Sequence, residues 1–278
     1  MPELPEVETV RRGLERHLVG RRIRHVDVGR ERAVRRTSRE ELIAGLTDVV
    51  VEGADRRGKY LLSPLDSGDT LMIHLRMTGQ VLLAPRGATP PTHTHVVLEL
   101  DDGHDLWFVD PRTFGEVVVF DPDRVAIEVP ELAHLGVDPI AEPFDVQVLR
   151  DAIGTTKRAL KPLLLDQHVI AGIGNIYADE ILHRARLLPD RSASTLDRRK
   201  LVTLHDAIVS VLTEAIEAGG STLGDNQYVD LMGSGGSYQD DHRVYGRAGL
   251  RCTTCGRGWI RRTVSGGRST HFCGVCQF

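Results

Sequence analysis

The residues best placed to do chemistry are the first ones, Met1-Pro2-Glu3-Leu4-Pro5-Glu6. Initiator methionine is normally removed when the next residue is as small as proline, and removal here would make the secondary amine of Pro2 the N-terminus. Such an amine can form a Schiff base with a sugar aldehyde carbon. A secondary amine gives an iminium that stays cationic, an electron sink of the kind covalent catalysis uses. The carboxyl of Glu3, one residue on, can serve there as general acid or base. Glu6 either supports that site or is a plain carboxylate favoured by a helix N-terminus. The alternative for the whole segment is an ordinary helix start, where proline and glutamate are both favoured.

A second chemical cluster closes the chain. All four cysteines fall in the last 27 residues, as Cys252-x2-Cys255, a gap of 17 residues, and Cys273-x2-Cys276. Two paired knuckles at this spacing predict one tetrahedral Zn2+ held by four thiolates. Two disulfides are the alternative, disfavoured in a cytosolic protein, and iron on the same ligands is a minor one. Four protein ligands leave no open position, so the expected metal is structural. Its role is to rigidify a segment too short for a core of its own.

The 278 residues, net charge −4, are long enough for two domains with separate cores. Neither a signal peptide nor an apolar run of membrane length is evident, which predicts a cytosolic protein with no membrane partner. Charge distribution says more than net charge. From Arg243 to the end there are seven arginines and no Asp or Glu. A second basic stretch contains Arg21, Arg22, Arg24, Arg30, Arg32, Arg35 and Arg36. Local basic surfaces on an acidic protein suit phosphate binding, with a solvated charged face as the alternative.

The elements that must position these residues follow from periodicity. Val7, Val10, Leu14 and Leu18 share one face of a helix over 5–19 that ends at Gly20. From 22 to 120 short β-rich runs (23–28, 60–62, 70–75, 95–100, 105–109 and 116–120) predict an antiparallel sandwich. After Pro139 the pattern turns helical, with segments over 146–153, 161–166, 175–184 and 196–218. Residues 221–242 lack periodicity and form a long loop. The predicted class is α+β. Its domains are an N-terminal domain over 1–130, a hinge over 131–145, a helical domain with its loop over 146–242, and a finger over 243–278.

In sequence order the chain carries Pro2-Glu3-Leu4-Pro5-Glu6-Val7-Glu8-Thr9, Gly58-Lys59-Tyr60-Leu61-Leu62, His74-Leu75-Arg76-Met77-Thr78-Gly79 and Asp110-Pro111-Arg112-Thr113-Phe114-Gly115. Lys161-Pro162, Gly172-Ile173-Gly174-Asn175-Ile176-Tyr177-Ala178 and the finger with Gly267-Arg268-Ser269-Thr270-His271-Phe272 follow. Along its whole length it resembles the formamidopyrimidine-DNA glycosylases. The resemblance implies a β-sandwich, a helix–two-turn–helix domain and a zinc β-hairpin. It also implies a bifunctional glycosylase and abasic-site lyase of base excision repair, monomeric and acting in the cytoplasm on the nucleoid. Its substrate would be double-stranded DNA carrying oxidised purines or abasic sites.

Carried over position by position, the resemblance makes Pro2 the nucleophile and Glu3 its proton donor. Lys59 and Arg268 become phosphate contacts at the lesion. Met77, Arg112 and Phe114 fill the void left by a flipped base, while Thr113 departs from the basic residue more common there. His74, His93, His95, Lys157, Lys161, Asn175 and Tyr177 are expected to contact DNA, His93 before the other histidines, with a structural hydrogen bond the alternative for the three histidines and a solvated charge for the two lysines. Asn175 is also expected to cap the helix that follows it, and loop 221–242 to cover the extruded base. The rivals are an endonuclease VIII-like enzyme for oxidised pyrimidines and a non-catalytic zinc protein that binds DNA. Leu4, the Met77–Arg112–Phe114 set and the long loop favour the purine enzyme, and Pro2 with Glu3 argues against a mere binder.

Overall fold

The computed structural model describes residues 1–34, 36–224 and 228–278. Arg35 of the basic stretch and residues 225–227 of the long loop therefore lie outside the described residues. The chain divides into two compact units. One comprises Met1–His134 with Ala218–Ser237, the other Leu135–Glu217 with Tyr238–Phe278. This differs from the sequence-based boundaries in two respects. Most of the long loop belongs to the N-terminal unit, and the cysteine segment belongs to the same unit as the helices.

In the first unit, α1 (Leu4–His17) begins with Pro5 in its first turn and buries Val7, Val10 and Leu14. Leu18 caps its C-terminus and is buried with them. Two four-stranded antiparallel sheets follow. The first is built from β1 (Ile23–Val28), β5 (Gln80–Pro85), β6 (Thr94–Leu100) and β7 (His104–Val109), in the order β1-β6-β7-β5. The second is β2 (Asp55–Arg57), β3 (Tyr60–Pro64), β4 (Thr70–His74) and β8 (Glu116–Phe120), in chain order. One apolar core joins Val26, Val96, Leu98 and Phe108 of the first sheet to Leu61, Leu71, Ile73 and Val117 of the second. The α1 stripe packs into the same core. The predicted sandwich is thus present.

Sequence periodicity missed β2, β5 and α2 (Arg39–Leu46). The last of these is signalled by a capping box, in which the Ser38 hydroxyl accepts from Glu41 N–H while Glu41 accepts from Ser38 N–H. Two short helices, α3 (Val125–Glu128) and α4 (Pro130–Ala133), lie at the end of the expected N-terminal domain, the second running into the expected hinge.

Register in the second sheet aligns what matters. Tyr60 pairs with His74, and His74 with Glu116. The turn before β3, the loop after β4 and the loop before β8 therefore all emerge at one end of the sheet. These are the segments carrying Lys59, Met77, and Arg112 with Phe114.

The loop over 218–237 is tied to this unit by its backbone and by apolar contact. Leu83 N–H donates to Leu231 O at 2.9 Å, and a Cβ on Gly13 would lie 2.9 Å from that of Leu231. The close approach of helix and loop therefore requires glycine at 13.

In the second unit, α5 (Val146–Ile153), α6 (Leu160–Leu164), α7 (Asn175–Arg184) and α8 (Arg198–Glu217) are followed by the hairpin β9 (Ile260–Ser265) and β10 (Arg268–Cys273). Among the described residues no helix is long and apolar enough to cross a membrane.

Glu116, 2% exposed, lies between Arg36 and Arg76, each at 2.8 Å. Burial works to raise its carboxyl, but the hydrogen bonds from Arg36 and Arg76 outweigh burial and hold it below the ordinary 4.5. A carboxyl lowered in the folded state stabilises above the unfolded value, and that stability is lost as pH falls through the folded value. Glu116→Gln is expected to cost about 3 kcal/mol at neutral pH. The gap from wild type should close in acid, as read by thermal melting across that range.

Candidate functional site

Pro2 and Glu3 are both buried, at the N-terminus of α1. Glu6 fixes them from the first turn. Its Oε2 accepts from Glu3 N–H at 2.8 Å, and its Oε1 accepts from Ser221 N–H, in the long loop, at 2.7 Å. Gly220 adopts φ +80°, and a Cβ there would come within 2.8 Å of Glu6 Oε1. One carboxylate thus joins the backbone next to Pro2 to the root of the loop, which goes beyond the dipole role open to Glu6 in the sequence. Tyr228 donates from its hydroxyl to Gly219 O at 3.0 Å, and burial followed by the Glu6 charge raises its pKa.

A second buried pair connects α1 to Lys59. Arg56 donates to Glu8 Oε2 at 3.1 Å and to Gly58 O at 2.8 Å. Gly58 and Lys59 form the two-residue turn between β2 and β3, with Gly58 at φ +57°. Burial opposes ionisation of Glu8, but its guanidinium partners, Arg11 first, hold its carboxyl below the usual range. Sequence reading missed both residues, because buried ion pairs have no periodic signature. The spacing of Glu8 and Arg11 was the one available signal.

At the same end of the sheet, Asp110 clamps two loops together. Fully buried, it accepts from the Thr78 hydroxyl, from Arg112 N–H at 3.2 Å and from Gly115 N–H at 2.7 Å. Thr113 takes the left-handed conformation at φ +56°, and Gly115 has no room for a Cβ, which would meet Phe108 at 2.5 Å. The result presents Phe114, 37% exposed, with the Arg112 guanidinium 5.1 Å from its ring. Met77 is half-buried on the facing loop. A large apolar residue left exposed under a cation suits insertion into a base stack.

Two of the histidines expected to contact DNA are buried and engaged within the unit, the structural role that stood as their alternative. His74 is buried, its ring 4.3 Å from that of Tyr60, and its Nδ1 accepts from Arg76 N–H at 2.9 Å. Burial, then Arg76 and Lys59, push its pKa well below 6.5. His95 is buried with Nε2 2.7 Å from Asp110 O. His93 differs from both, being exposed at φ +70°.

In the second unit Lys157 is exposed, but Lys161 is not. Lys161 is 0% exposed, with Nζ 2.7 Å from Asp179 Oδ1 and donating to Ser269 O at 2.7 Å. It supports the hairpin residue next to Arg268. Tyr177 is fully buried, 5.8 Å from the Tyr238 ring. The helix cap is Gly174, and Asn175 is the first helical residue, with Nδ2 donating to Ser269 Oγ at 3.3 Å. The turn before it is braced by Gln167, which donates to Leu165 O and Ile173 O and accepts from Gly172 N–H, each at 2.9 Å. Arg268 is exposed and follows the two-glycine turn of Gly266 (φ +55°) and Gly267 (φ +74°).

The four cysteines are free of disulfides, and their sulfurs lie within 4.8 Å of one another. The Cys252–Cys276 and Cys255–Cys273 separations are 3.7 and 3.8 Å. A tetrahedron with metal–sulfur bonds of about 2.3 Å has edges of about 3.8 Å, so the cluster fits a tetrahedral ion. Hydrogen bonds from Gly258 and Arg257 N–H lower the Cys255 thiol to about 6, whereas burial raises Cys252 and Cys276.

A buried N-terminal Pro–Glu pair on a sandwich, with a helical module ending in a four-thiolate hairpin, defines a finger-bearing protein built around its own N-terminus. Residues 1–117 match the model of the formamidopyrimidine-DNA glycosylase N-terminal domain, and 135–227 that of the same enzyme's H2TH domain. The chain belongs to the formamidopyrimidine-DNA glycosylase family. A formamidopyrimidine-DNA glycosylase of Roseiflexus sp. is 46% identical over 279 residues, covering all of both chains. That of Corynebacterium jeikeium is 42% identical over 289 residues, again with full coverage. A crystal structure of Lactococcus lactis Fpg with abasic-site DNA superposes with TM-score 0.89 at 37% identity, covering 99% of each chain. A variant of that enzyme with Fapy-dG DNA gives 0.90 at 37%, again covering 99% of each.

Asp110→Ala would strand the Thr78, Arg112 and Gly115 donors, each costing about 1–3 kcal/mol if left unsatisfied. A loss of about 3 kcal/mol in urea unfolding is expected, together with a larger loss of lesion binding than an equally destabilising core substitution causes.

Proposed function

We propose that the chain is a bifunctional glycosylase and abasic-site lyase. It removes oxidised purines, 8-oxoguanine and formamidopyrimidines, from double-stranded DNA in base excision repair and nicks the strand by β,δ-elimination. The observation that carries this is the Pro2–Glu3 pair, buried at the N-terminus of α1 and held by Glu6. The names of the full-length relatives and the lesion DNA in the matched structures support the substrate class.

After removal of Met1, the Pro2 amine attacks C1′ of the damaged nucleotide and the base leaves. The positive end of α1 disfavours a nearby cation and so favours the unprotonated, nucleophilic amine. Glu3 donates a proton as the sugar ring opens, leaving an iminium between Pro2 and C1′. Loss of the C2′ proton expels the 3′ phosphate, and a second elimination expels the 5′ phosphate. Hydrolysis of the remaining iminium frees Pro2.

The target base must leave the stack before C1′ is reachable. Met77, Arg112 and Phe114 fill the gap, and Arg112 can hydrogen-bond the widowed base. Lys59, His93, Lys157, Asn175 and Arg268 bind the backbone. The ion on Cys252, Cys255, Cys273 and Cys276 is a single structural Zn2+, which stiffens the hairpin carrying Arg268 and takes no part in the chemistry. The enzyme works as a monomer in the cytoplasm on nucleoid DNA.

Borohydride reduction on a duplex with 8-oxoguanine opposite cytosine is expected to give a covalent product mapping to Pro2, and a weaker one on a dihydrouracil duplex. No product in a preparation shown to lack Met1 would refute the Schiff-base route, and a stronger dihydrouracil product would favour the pyrimidine enzyme. Arg268→Ala is expected to weaken duplex binding and to lower the salt slope of log K by about 1 with the fold intact. Unchanged affinity would remove Arg268 from the backbone contacts.

A further inference from the structure

Helix α7 grips the cysteine segment at three of its side chains, and only the first two are explained by peptide hydrogen bonding. Asp179 accepts from His271 N–H at 2.8 Å, with Nδ1 of the same histidine at 3.1 Å. Glu180 accepts from the N–H groups of Arg243, Val244 and Tyr245 at 2.9, 3.0 and 2.8 Å. The third is His183, in the last turn and 3% exposed. Its Nε2 lies 3.5 Å from Cys252 Sγ and 3.8 Å from Cys276 Sγ. Those two sulfurs are 3.7 Å apart, so the nitrogen and the two sulfurs form a nearly equilateral triangle.

An imidazole nitrogen over one edge of a thiolate tetrahedron can present either a lone pair or an N–H. Four sulfurs already complete the coordination of a tetrahedral ion, so a lone pair there would only face the sulfur lone pairs. An N–H would meet two acceptors. Four thiolates around a divalent cation also carry a net charge of −2, and a buried anion of that kind needs donors. Gly258 N–H supplies one to Cys255 at 3.4 Å. His183 stands where a side chain can do the same for Cys252 and Cys276.

We propose that His183 donates its Nε2–H to the metal-bound thiolates of Cys252 and Cys276, acting as a positioning residue that slows metal release and shields these sulfurs from oxidation. The proposal rests on the four-thiolate metal assigned above and is independent of the chemistry at Pro2. Withdrawing electron density from the two sulfurs makes them weaker nucleophiles toward oxidants and alkylating agents. It also ties the ion to α7, so that losing the metal requires breaking a contact with the helix as well as four coordinate bonds. Outer partners of metal ligands characteristically change affinity by about 10–100-fold.

The test uses the full-length protein loaded with Zn2+, Co2+ or 113Cd2+, in wild type, His183→Phe and His183→Gln. Phenylalanine keeps the ring volume without a donor, and the glutamine amide places an N–H near the Nε2 position. With Zn2+, release to a chromogenic chelator and iodoacetamide labelling of Cys276 should both quicken about ten-fold in the Phe variant, and return toward wild type in the Gln variant. With Co2+, the sulfur-to-metal charge-transfer band should move to lower energy in the Phe variant and recover in the Gln variant. In wild type loaded with 113Cd2+, the His183 Nε2–H proton should show scalar coupling to the metal, a reading that survives if a variant fails to fold. Absence of that coupling, or unchanged release, labelling and band position in a folded Phe variant, would overturn the proposal. So would a wild-type Co2+ spectrum with three sulfur ligands and one nitrogen, which would make His183 a ligand. Failure of the wild type to bind any of these ions would refute the metal assignment itself, leaving the Schiff-base reading to its own experiment.

Discussion

Strand register in the second sheet is the constraint on which the rest of the N-terminal unit depends. With Tyr60 opposite His74 and His74 opposite Glu116, three turns must leave the sheet at one end. A slip of one residue would reverse every side chain and bury the wrong set. Register alone would leave those turns loose, and buried charge fixes them. Asp110 fastens the Thr78 loop to the Arg112–Gly115 loop, and Arg56 fastens the Lys59 turn to α1. Each of these anchors accepts or donates to backbone at the turn itself, so it sets loop geometry directly. The exposed residues, Phe114 and Arg112, gain a fixed position without being packed themselves.

The second unit solves the same problem with less apolar area. The cysteine segment has a small core of Val244, Cys252, Ile260 and Cys273, too little to hold a hairpin rigid. Its order comes from α7, through Asp179 and Glu180, and from the thiolate cluster. Burial penalises the Glu180 charge and raises its pKa, against three peptide donors that stabilise it. The anchor is costly in isolation and is retained where it holds backbone that no strand ladder holds. The hairpin can therefore be short and still present Arg268 from a fixed base.

The sequence made the architecture largely legible where periodicity carries it. The α1 stripe, most strands of the sandwich, α5 and α7 were read at or near their observed bounds, because each buries one face on a core. The tetrahedral cluster was legible from spacing alone. What escaped was β5, whose Pro85 disguises its edge, and α2, whose signal is a cap and not a stripe. The domain assignment of the loop escaped for a related reason. Tyr228 and Leu231 belong to a five-residue run, Tyr228-Val229-Asp230-Leu231-Met232, too short to show a helix or strand period, so no local pattern says that they join the core with α1.

Four buried residues show why a motif does not by itself say how each of its positions acts. His74, His95, Lys161 and Tyr177 lie inside motifs that also contain exposed residues, and all four are buried. A motif marks positions the site requires, whether a side chain touches the ligand or holds a neighbour that does. Physical context separates the two. Lys161 has an opposite charge at 2.7 Å and a hydrogen bond to the backbone beside Arg268. Its cation is already compensated, and drawing it to a phosphate would leave Asp179 buried with one fewer partner. Arg268, by contrast, is exposed at the first position of β10, directly after the hairpin turn, where its charge is open to a phosphate. The basic C-terminal stretch read from composition thus divides the same way. Part of it is structure that aims the hairpin, and part is the charge being aimed.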